Sequence, residues 1–218
     1  MSVQDEQNNE NREDMYRKFI KRALDVILSG LAIPILFPFC FLIAVWIRLD
    51  SKGPAFFRQT RIGIDDTTFE IVKFRTMQVD APSEVPTHLM VDADRWLTRA
   101  GRILRRTSLD ELPQVLNIFK GDMSIVGPRP ALWNQDDLIA LRQANGANRV
   151  RPGLTGLAQV HGRDILSVED KAGYDGVYAK NITFAADAKC IWMTVIAVLT
   201  GKDVIEGSRD LPKNRKRK

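Results

Sequence analysis

A chain of 218 residues, 44% of them hydrophobic, is long enough for one well-buried core and too apolar for wholesale disorder. Its 32 Lys and Arg against 27 Asp and Glu leave a net charge of +5, too small to specify a polyanionic partner by itself. Two cysteines, Cys40 and Cys190, exclude a disulfide framework and fit a reducing compartment; no GxxxxGK[ST] loop, GxGxxG, HExxH or internal repeat is present.

Residues 1–15 are polar and mostly acidic and read as a mobile tail. From Ala23 to Ile47 the chain is almost wholly apolar, with one charge near its start, long enough for a bilayer segment. A polar stretch before it and the lack of a small-residue cleavage site after it exclude a cleavable signal peptide. Arg17, Lys18, Lys21 and Arg22 precede the segment and Arg48 and Lys52 follow it, so the positive-inside bias draws both flanks to one face. Pro34 near the middle and Pro38 one turn later each remove a helical hydrogen bond, which favours a bend. The expectation for 16–50 is therefore a re-entrant helix broken at Pro34, with Ser29 a candidate partner for the freed carbonyls. A kinked span and a buried soluble helix remain open. Asp25 is expected at headgroup level or paired with Lys21 or Arg22.

A second unit is expected over 51–203, followed by a basic tail over 204–218. Two β-prone runs separated by Asp65-Asp66 predict a hairpin, and Val79 to Thr87, with Pro82 and Pro86, predicts a loop. Between Asp92 and Arg106 the apolar Trp96, Leu97, Ala100, Ile103 and Leu104 share one helical face while Arg95, Arg99, Arg102 and Arg106 share another. That helix lies either on a membrane surface or on the core with a solvated face. Further helices are expected from about Asp110 to Lys120, Gln135 to Ala144, Val168 to Lys180 and Ala186 to Thr200, with a short strand at Met123 to Val126. The last helix is too short to span a bilayer and reads as core or interfacial.

The chemistry concentrates between Arg105 and Pro130. Ser108 and Glu111 spell a capping box, but a cap at Ser108 would put Pro113 beyond the first turn, so a start at Asp110 or Glu111 fits better. Either start leaves two carboxylates at a helix N-terminus, which favours their ionised forms and attracts phosphate. Arg105 stands off the arginine stripe, Arg129 is held between two prolines, and Lys73, Arg75 and Arg151 are further phosphate-binding candidates. Taken singly, each of these cations is more often a solvated charge.

The block RRTSLDELPQ with Asn117 and GDMSIVGPRP, together with GPAFFRQTRIG, KFRTM and RPGLTGLAQVHGR, resembles the polyprenyl-phosphate phosphoglycosyl transferases, or bacterial sugar transferases, in their short single-domain monotopic form. The likeness runs from about Lys21 to about Lys202. It implies an α+β, helix-rich fold in which the re-entrant helix, interfacial amphipathic helices and a small hairpin-bearing catalytic domain at 51–203 sit on the cytoplasmic face of the bacterial inner membrane. It also implies transfer of a sugar-1-phosphate from a UDP-sugar to undecaprenyl phosphate, with release of UMP, as the first membrane step of glycoconjugate synthesis. Asp110 would be the nucleophile of a covalent intermediate, Asp110 and Glu111 would hold Mg2+, and Arg105, Arg129, Lys73, Arg75 and Arg151 would bind phosphates. Direct transfer in a ternary complex, with the carboxylates only holding metal, stays open. Membrane lipids are the further partners implied, and a homodimer is an open assembly state. Three positions depart from the family pattern: Ile33 before Pro34 where Ser is frequent, Leu157 for an aromatic residue, and His161 for Asn.

Two other classes compete. A non-catalytic basic scaffold on the membrane surface would use Lys213 to Lys218 but needs no acidic pair beside arginines. A nucleic-acid binder, suggested by a pI of about 9.3, lacks stacking platforms and a recognition helix. The sugar and the glycan pathway are not legible.

Overall fold

The computed structural model describes residues 14–82, 93–162 and 165–200. A π-helical turn, Tyr16–Ile20, runs directly into helix α1, Lys21–Asp50. Among the described residues this is the one helix long and apolar enough to cross a membrane. Pro34 and Pro38 lie inside it. Ser29 does not serve the Gly30 carbonyl that Pro34 leaves without its usual partner; its Oγ donates instead to Asp25 O at 2.5 Å and to Val26 O at 3.3 Å.

Both ends of α1 dock on the same globular unit. At the start, Lys21 Nζ donates to Asp187 Oδ2 at 2.6 Å, and Arg22 reaches Ile118 O at 2.7 Å and Phe119 O at 3.0 Å. Asp25 does not pair with Lys21 or Arg22, because those cations are used elsewhere; its Oδ1 accepts from the Ile125 amide at 3.0 Å. At the far end Ile47 is fully buried among Ala55, Phe74, Ala100 and Leu104. Between them Leu31, Ile35, Phe37, Phe39, Phe41 and Leu42 are exposed.

Strands β1, Phe56–Ile62, and β2, Thr68–Phe74, form the expected antiparallel hairpin. Its turn holds Asp65 and Asp66 at φ of 51° and 59°, a region that aspartate tolerates better than most side chains. After β2 the chain returns along the segment that leads to the next helix. Gln78 N donates to Trp96 O at 2.9 Å and Thr98 N to Thr76 O at 3.0 Å. This pairing divides the single helix expected over 92–106 into a 3-10 turn, Ala93–Trp96, and helix α2, Arg99–Arg106. Thr98 starts α2 by accepting from Gly101 N at 2.9 Å, and Asp50 at the end of α1 accepts from Ala100 N at 3.1 Å. Gly101 is required there, since a Cβ would lie 1.9 Å from Thr76 O.

Ser108 reverses the chain at φ 56° into a 3-10 helix, Leu109–Gln114, that tightens into helix α3, Val115–Lys120. Ser108 makes no capping bond, so the capping-box alternative does not form. Gly121 ends α3 at φ 106°, the left-handed position that the sequence assigns to it. Asn117 fastens α3 to β2: its Oδ1 accepts from Val72 N at 3.0 Å and its Nδ2 donates to Glu70 O at 2.8 Å.

Strand β3, Ser124–Val126, pairs in parallel with β4, Gly153–Thr155. The crossover between them carries α4, Asp136–Asn145. Helices α5, Leu157–Val160, α6, Val168–Lys180, and α7, Phe184–Thr200, follow. Ser167 caps α6 by accepting from Asp170 N at 3.0 Å, and a buried Arg142–Asp175 pair at 2.7 Å joins α4 to α6. Asp187 of α7 collects Lys21, Tyr16 at 2.7 Å and Tyr178 at 2.6 Å, so α7, α6 and the base of α1 meet at one carboxylate. Burial, and then Asp187 through its hydrogen bonds and its charge, push both phenols far above their ordinary range.

Candidate active site

The hairpin register carries Lys73 to the site. Lys73 shares a strand face with Ile71, which packs on Ile118 and Met123. Its ammonium therefore meets the 3-10 turn that precedes α3, and Nζ lies 2.9 Å from Glu111 Oε1. The same oxygen accepts from Arg129 NH2 at 2.9 Å. Glu111 is 8% exposed, so this carboxylate is held by two cations with little water to relax it.

Arg129 is aimed by its loop. Gly153 N donates to Pro128 O at 2.8 Å on one side, and Arg61 NH1 donates to Pro130 O at 3.0 Å on the other. Prolines at both neighbours of Arg129 fix φ and limit how far the loop can turn. The resulting span from β4 to β1 leaves the guanidinium directed at Glu111.

Asp110 is half-buried beside this cluster and accepts no hydrogen bond among the described residues. Burial and then the neighbouring Glu111 raise its carboxyl above the ordinary carboxylate range, while Lys73, Arg105 and Arg129 oppose that shift. Burial pushes the Lys73 ammonium down, with Glu111 pulling against it. Arg105 Nε donates to Thr76 Oγ1 at 2.9 Å, which orients its guanidinium from the last turn of α2.

Five of the seven residues singled out for chemistry thus meet: Asp110, Glu111, Lys73, Arg105 and Arg129. Arg75 and Arg151 point to other partners. Arg75 donates to Lys52 O at 2.6 Å, Ser51 O at 3.0 Å and Ser51 Oγ at 2.9 Å, and so clasps the chain leaving α1. Alternation alone would put Arg75 on the face of Ile71 and Lys73, but β2 ends at Phe74, and Arg75, one residue past the strand, follows the chain leaving it toward Ser51 and Lys52. Arg151 Nε donates to Gly121 O at 3.2 Å. Sequence reasoning overlooked Thr76, which orients Arg105, and Arg61, which donates to the Pro130 carbonyl and opposes the charge of Lys73; no local pattern marks them.

Among the described residues no group of three or more His, Cys, Asp or Glu could cage a metal. Asp110 and Glu111 offer two adjacent carboxylates. Magnesium is commonly held by one or two carboxylates together with substrate phosphates and waters, so this donor set fits an ion that arrives with a diphosphate. The site as a whole is an acidic pair enclosed by ammonium and guanidinium groups, an arrangement that neutralises phosphate oxygens while presenting a carboxylate to them.

The fold and this cluster place the chain in a class. A family model described as bacterial sugar transferase matches residues 16–201, and the chain belongs to that family. Among its relatives, the UDP-glucose:undecaprenyl-phosphate glucose-1-phosphate transferase of Caulobacter vibrioides is 41% identical over 187 residues, covering 83% of this chain and 70% of that protein. The uncharacterized sugar transferase EpsL of Bacillus subtilis is 43% identical over 164 residues, 75% of this chain and 79% of that protein. The UDP-N-acetylgalactosamine-undecaprenyl-phosphate N-acetylgalactosaminephosphotransferase of Aeromonas hydrophila is 37% identical over 188 residues; these are 84% of this chain but 44% of that longer protein.

Proposed function

We propose that this chain transfers a sugar-1-phosphate from a UDP-sugar to undecaprenyl phosphate at the cytoplasmic surface of the bacterial inner membrane, releasing UMP. The observation that carries the reading is the acidic pair Asp110–Glu111 enclosed by Lys73, Arg105 and Arg129 in a chain of the bacterial sugar transferase family. Relatives named for glucose and for N-acetylgalactosamine show that the family accommodates more than one sugar, so the sugar here is left to experiment.

In this reading Asp110 attacks the β-phosphorus, the bond to the bridging oxygen breaks, and UMP leaves with that oxygen. The sugar phosphate stays on the Asp110 carboxylate as an acyl phosphate. Undecaprenyl phosphate then attacks the same phosphorus, returning Asp110 as a free carboxylate. Arg105 and Arg129 neutralise the phosphate oxygens that would otherwise repel the nucleophile, and Lys73 holds Glu111 and Arg129 in register. Asp110 and Glu111 would hold Mg2+, which supplies further charge neutralisation of the diphosphate when bound. The lack of a hydrogen bond to Asp110 among the described residues supports its role as the group that moves toward phosphorus, whereas doubly anchored Glu111 suits a fixed one.

Attachment of both ends of α1 to one globular unit supports a re-entrant course, since a helix crossing the bilayer would carry its ends to opposite faces. Exposed Leu31, Ile35 and Phe37 in the middle of α1 are the residues this course would bury in lipid. The exposed apolar residues Trp192, Val195, Ile196 and Leu199 support a surface position for α7. An active site at that level meets a water-soluble sugar nucleotide and a lipid phosphate in one place.

The test is release of UMP by the full chain in detergent, with a panel that includes UDP-glucose and UDP-N-acetylgalactosamine, magnesium and undecaprenyl phosphate. The expected outcome is sustained release with one or a few sugars, and lipid-linked sugar diphosphate as product. No release with any sugar nucleotide would overturn the reading and favour a scaffold.

A further inference from the structure

The base of α1 touches both elements that carry the proposed chemistry. Arg22 donates to Ile118 O at 2.7 Å and to Phe119 O at 3.0 Å, at the end of the helix that continues from the Asp110–Glu111 turn. One turn later Asp25 Oδ1 accepts from Ile125 N at 3.0 Å, in the strand that leads to Arg129. The ladder between β3 and β4 uses the amides of Ser124, donating to Pro152 O at 2.8 Å, and of Gly127, donating to Thr155 O at 2.8 Å. Ile125 N points away from that ladder, and Asp25 is the group that satisfies it.

We infer that Asp25 is a positioning residue for Arg129: its carboxylate fixes the height of β3 against the membrane helix, and the stiff Gly127–Pro130 loop carries that position to the guanidinium bound to Glu111. The connection is short and has little slack. Val126 is 1% exposed, a Cβ on Gly127 would lie 2.3 Å from Arg151 O, and prolines hold both neighbours of Arg129. A shift of β3 is therefore passed along the loop instead of being absorbed in it. Asp25 is 4% exposed and begins the apolar segment, a position where an unpartnered carboxylate would be costly; its bond to Ile125 supplies the compensation. The consequence is that the seating of the membrane helix and the geometry of the phosphate-binding arginine are coupled. This inference rests on the reading of Arg129 as a phosphate-binding group.

The experiment is a double-mutant cycle on full-length protein in lipid nanodiscs, measuring UMP release with whichever of UDP-glucose and UDP-N-acetylgalactosamine is active. Asp25→Leu, which leaves the Ile125 amide without an acceptor, is expected to lower kcat/KM by about 10–100-fold, the cost of a misplacement on the order of 1 Å. In an Arg129→Ala background the same substitution is expected to cost no more than about 2-fold, because its effect passes through the missing guanidinium. Asp25→Asn keeps an acceptor oxygen, retains the fold, and is expected to restore activity to within about 3-fold of the parent. Equal losses from Asp25→Leu with and without Arg129 would overturn the coupling and leave the site reading intact. So would an Asp25→Asn protein as impaired as Asp25→Leu. Full activity of Arg129→Ala alone would instead remove the phosphate-binding role, and the coupling with it.

Discussion

Glu111 Oε1 receives two cations at 2.9 Å while Asp110, one residue earlier, receives no hydrogen bond among the described residues. Adjacent carboxylates are thereby given different work: one is fixed and the other stays available. The cost falls on Asp110, whose folded pKa lies above its unfolded value through burial and the charge of Glu111. The folded state then binds that proton more tightly than the unfolded chain. Stability linked to it is complete below the ordinary carboxylate pKa and is lost as pH rises through the raised folded value. Asp110→Asn does not titrate, so the variant should melt above the parent by an amount that grows across this window and then levels off. The variant is expected to melt above the parent at neutral pH, with the gap closing toward acid pH. Thermal unfolding from pH 4 to pH 8 measures it, and a gap that shrinks as pH rises would contradict the assignment of Asp110 as the strained acid. The acidic pair, Arg105 and Arg129 were legible because their neighbours are unusual: an acid pair before Pro113 and an arginine between prolines. Arg75 and Arg151 were not, since a list of cations near an acid pair does not tell which way a strand or loop turns its side chain.

At the scale of elements, close backbone approach sets the site. Helix α2 lies so near Thr76 that residue 101 has no room for a Cβ, and this approach lets Thr76 Oγ1 reach Arg105. Gly101→Ala is expected to push α2 outward, cost about 1–3 kcal/mol as overpacking does, and lower UMP release by separating Arg105 from Thr76. Denaturant unfolding together with the release assay checks both effects, and an unchanged midpoint would show that the approach is not needed. Elements with their own local signals were readable: the hairpin around Asp65-Asp66, α6 with its Ser167 cap, and α3 with its terminal Gly121. Helix α2 was expected to start near Asp92 because Trp96 and Leu97 continue its apolar period. Pairing of Gln78 with Trp96 and capping by Thr98 override that period. Strand β4, Gly153–Thr155, carries no local signal, and only long-range pairing with β3 makes it a strand. The part of the expected 79–87 loop from 83 to 87, residues 1–13 of the expected N-terminal tail, residues 201–203 of the expected 51–203 unit and the whole expected tail 204–218 lie outside the described residues.

For the whole molecule, the central relation is between α1 and the globular unit. A straight helix of 30 residues is about 45 Å long, enough to cross a bilayer, yet Asp25 and Ile47 both end in contacts with the same unit. Charge on both flanks suggested that the two ends share one side, but the partners that hold the ends were not legible, because Asp187, Ile125 and Ala100 are distant in the chain. In spheroplasts, single cysteines introduced at Asp14 and Lys52 in a chain lacking Cys40 and Cys190 should both resist a membrane-impermeant maleimide until the membrane is broken. Labelling of one of them in intact spheroplasts would identify a crossing helix and place the two contact sets on opposite faces.

The most direct test of the account as a whole is retention of phosphosugar on the protein. Full-length protein in detergent is given magnesium and the active UDP-sugar labelled in its β-phosphate, without lipid, and is then digested for mass spectrometry. Label on the peptide containing Asp110, its absence in Asp110→Asn, and its discharge on addition of undecaprenyl phosphate are the predicted result. Product formed at full rate on adding lipid, with no label ever retained on Asp110, would contradict the account and assign both carboxylates to holding metal in a single-step transfer.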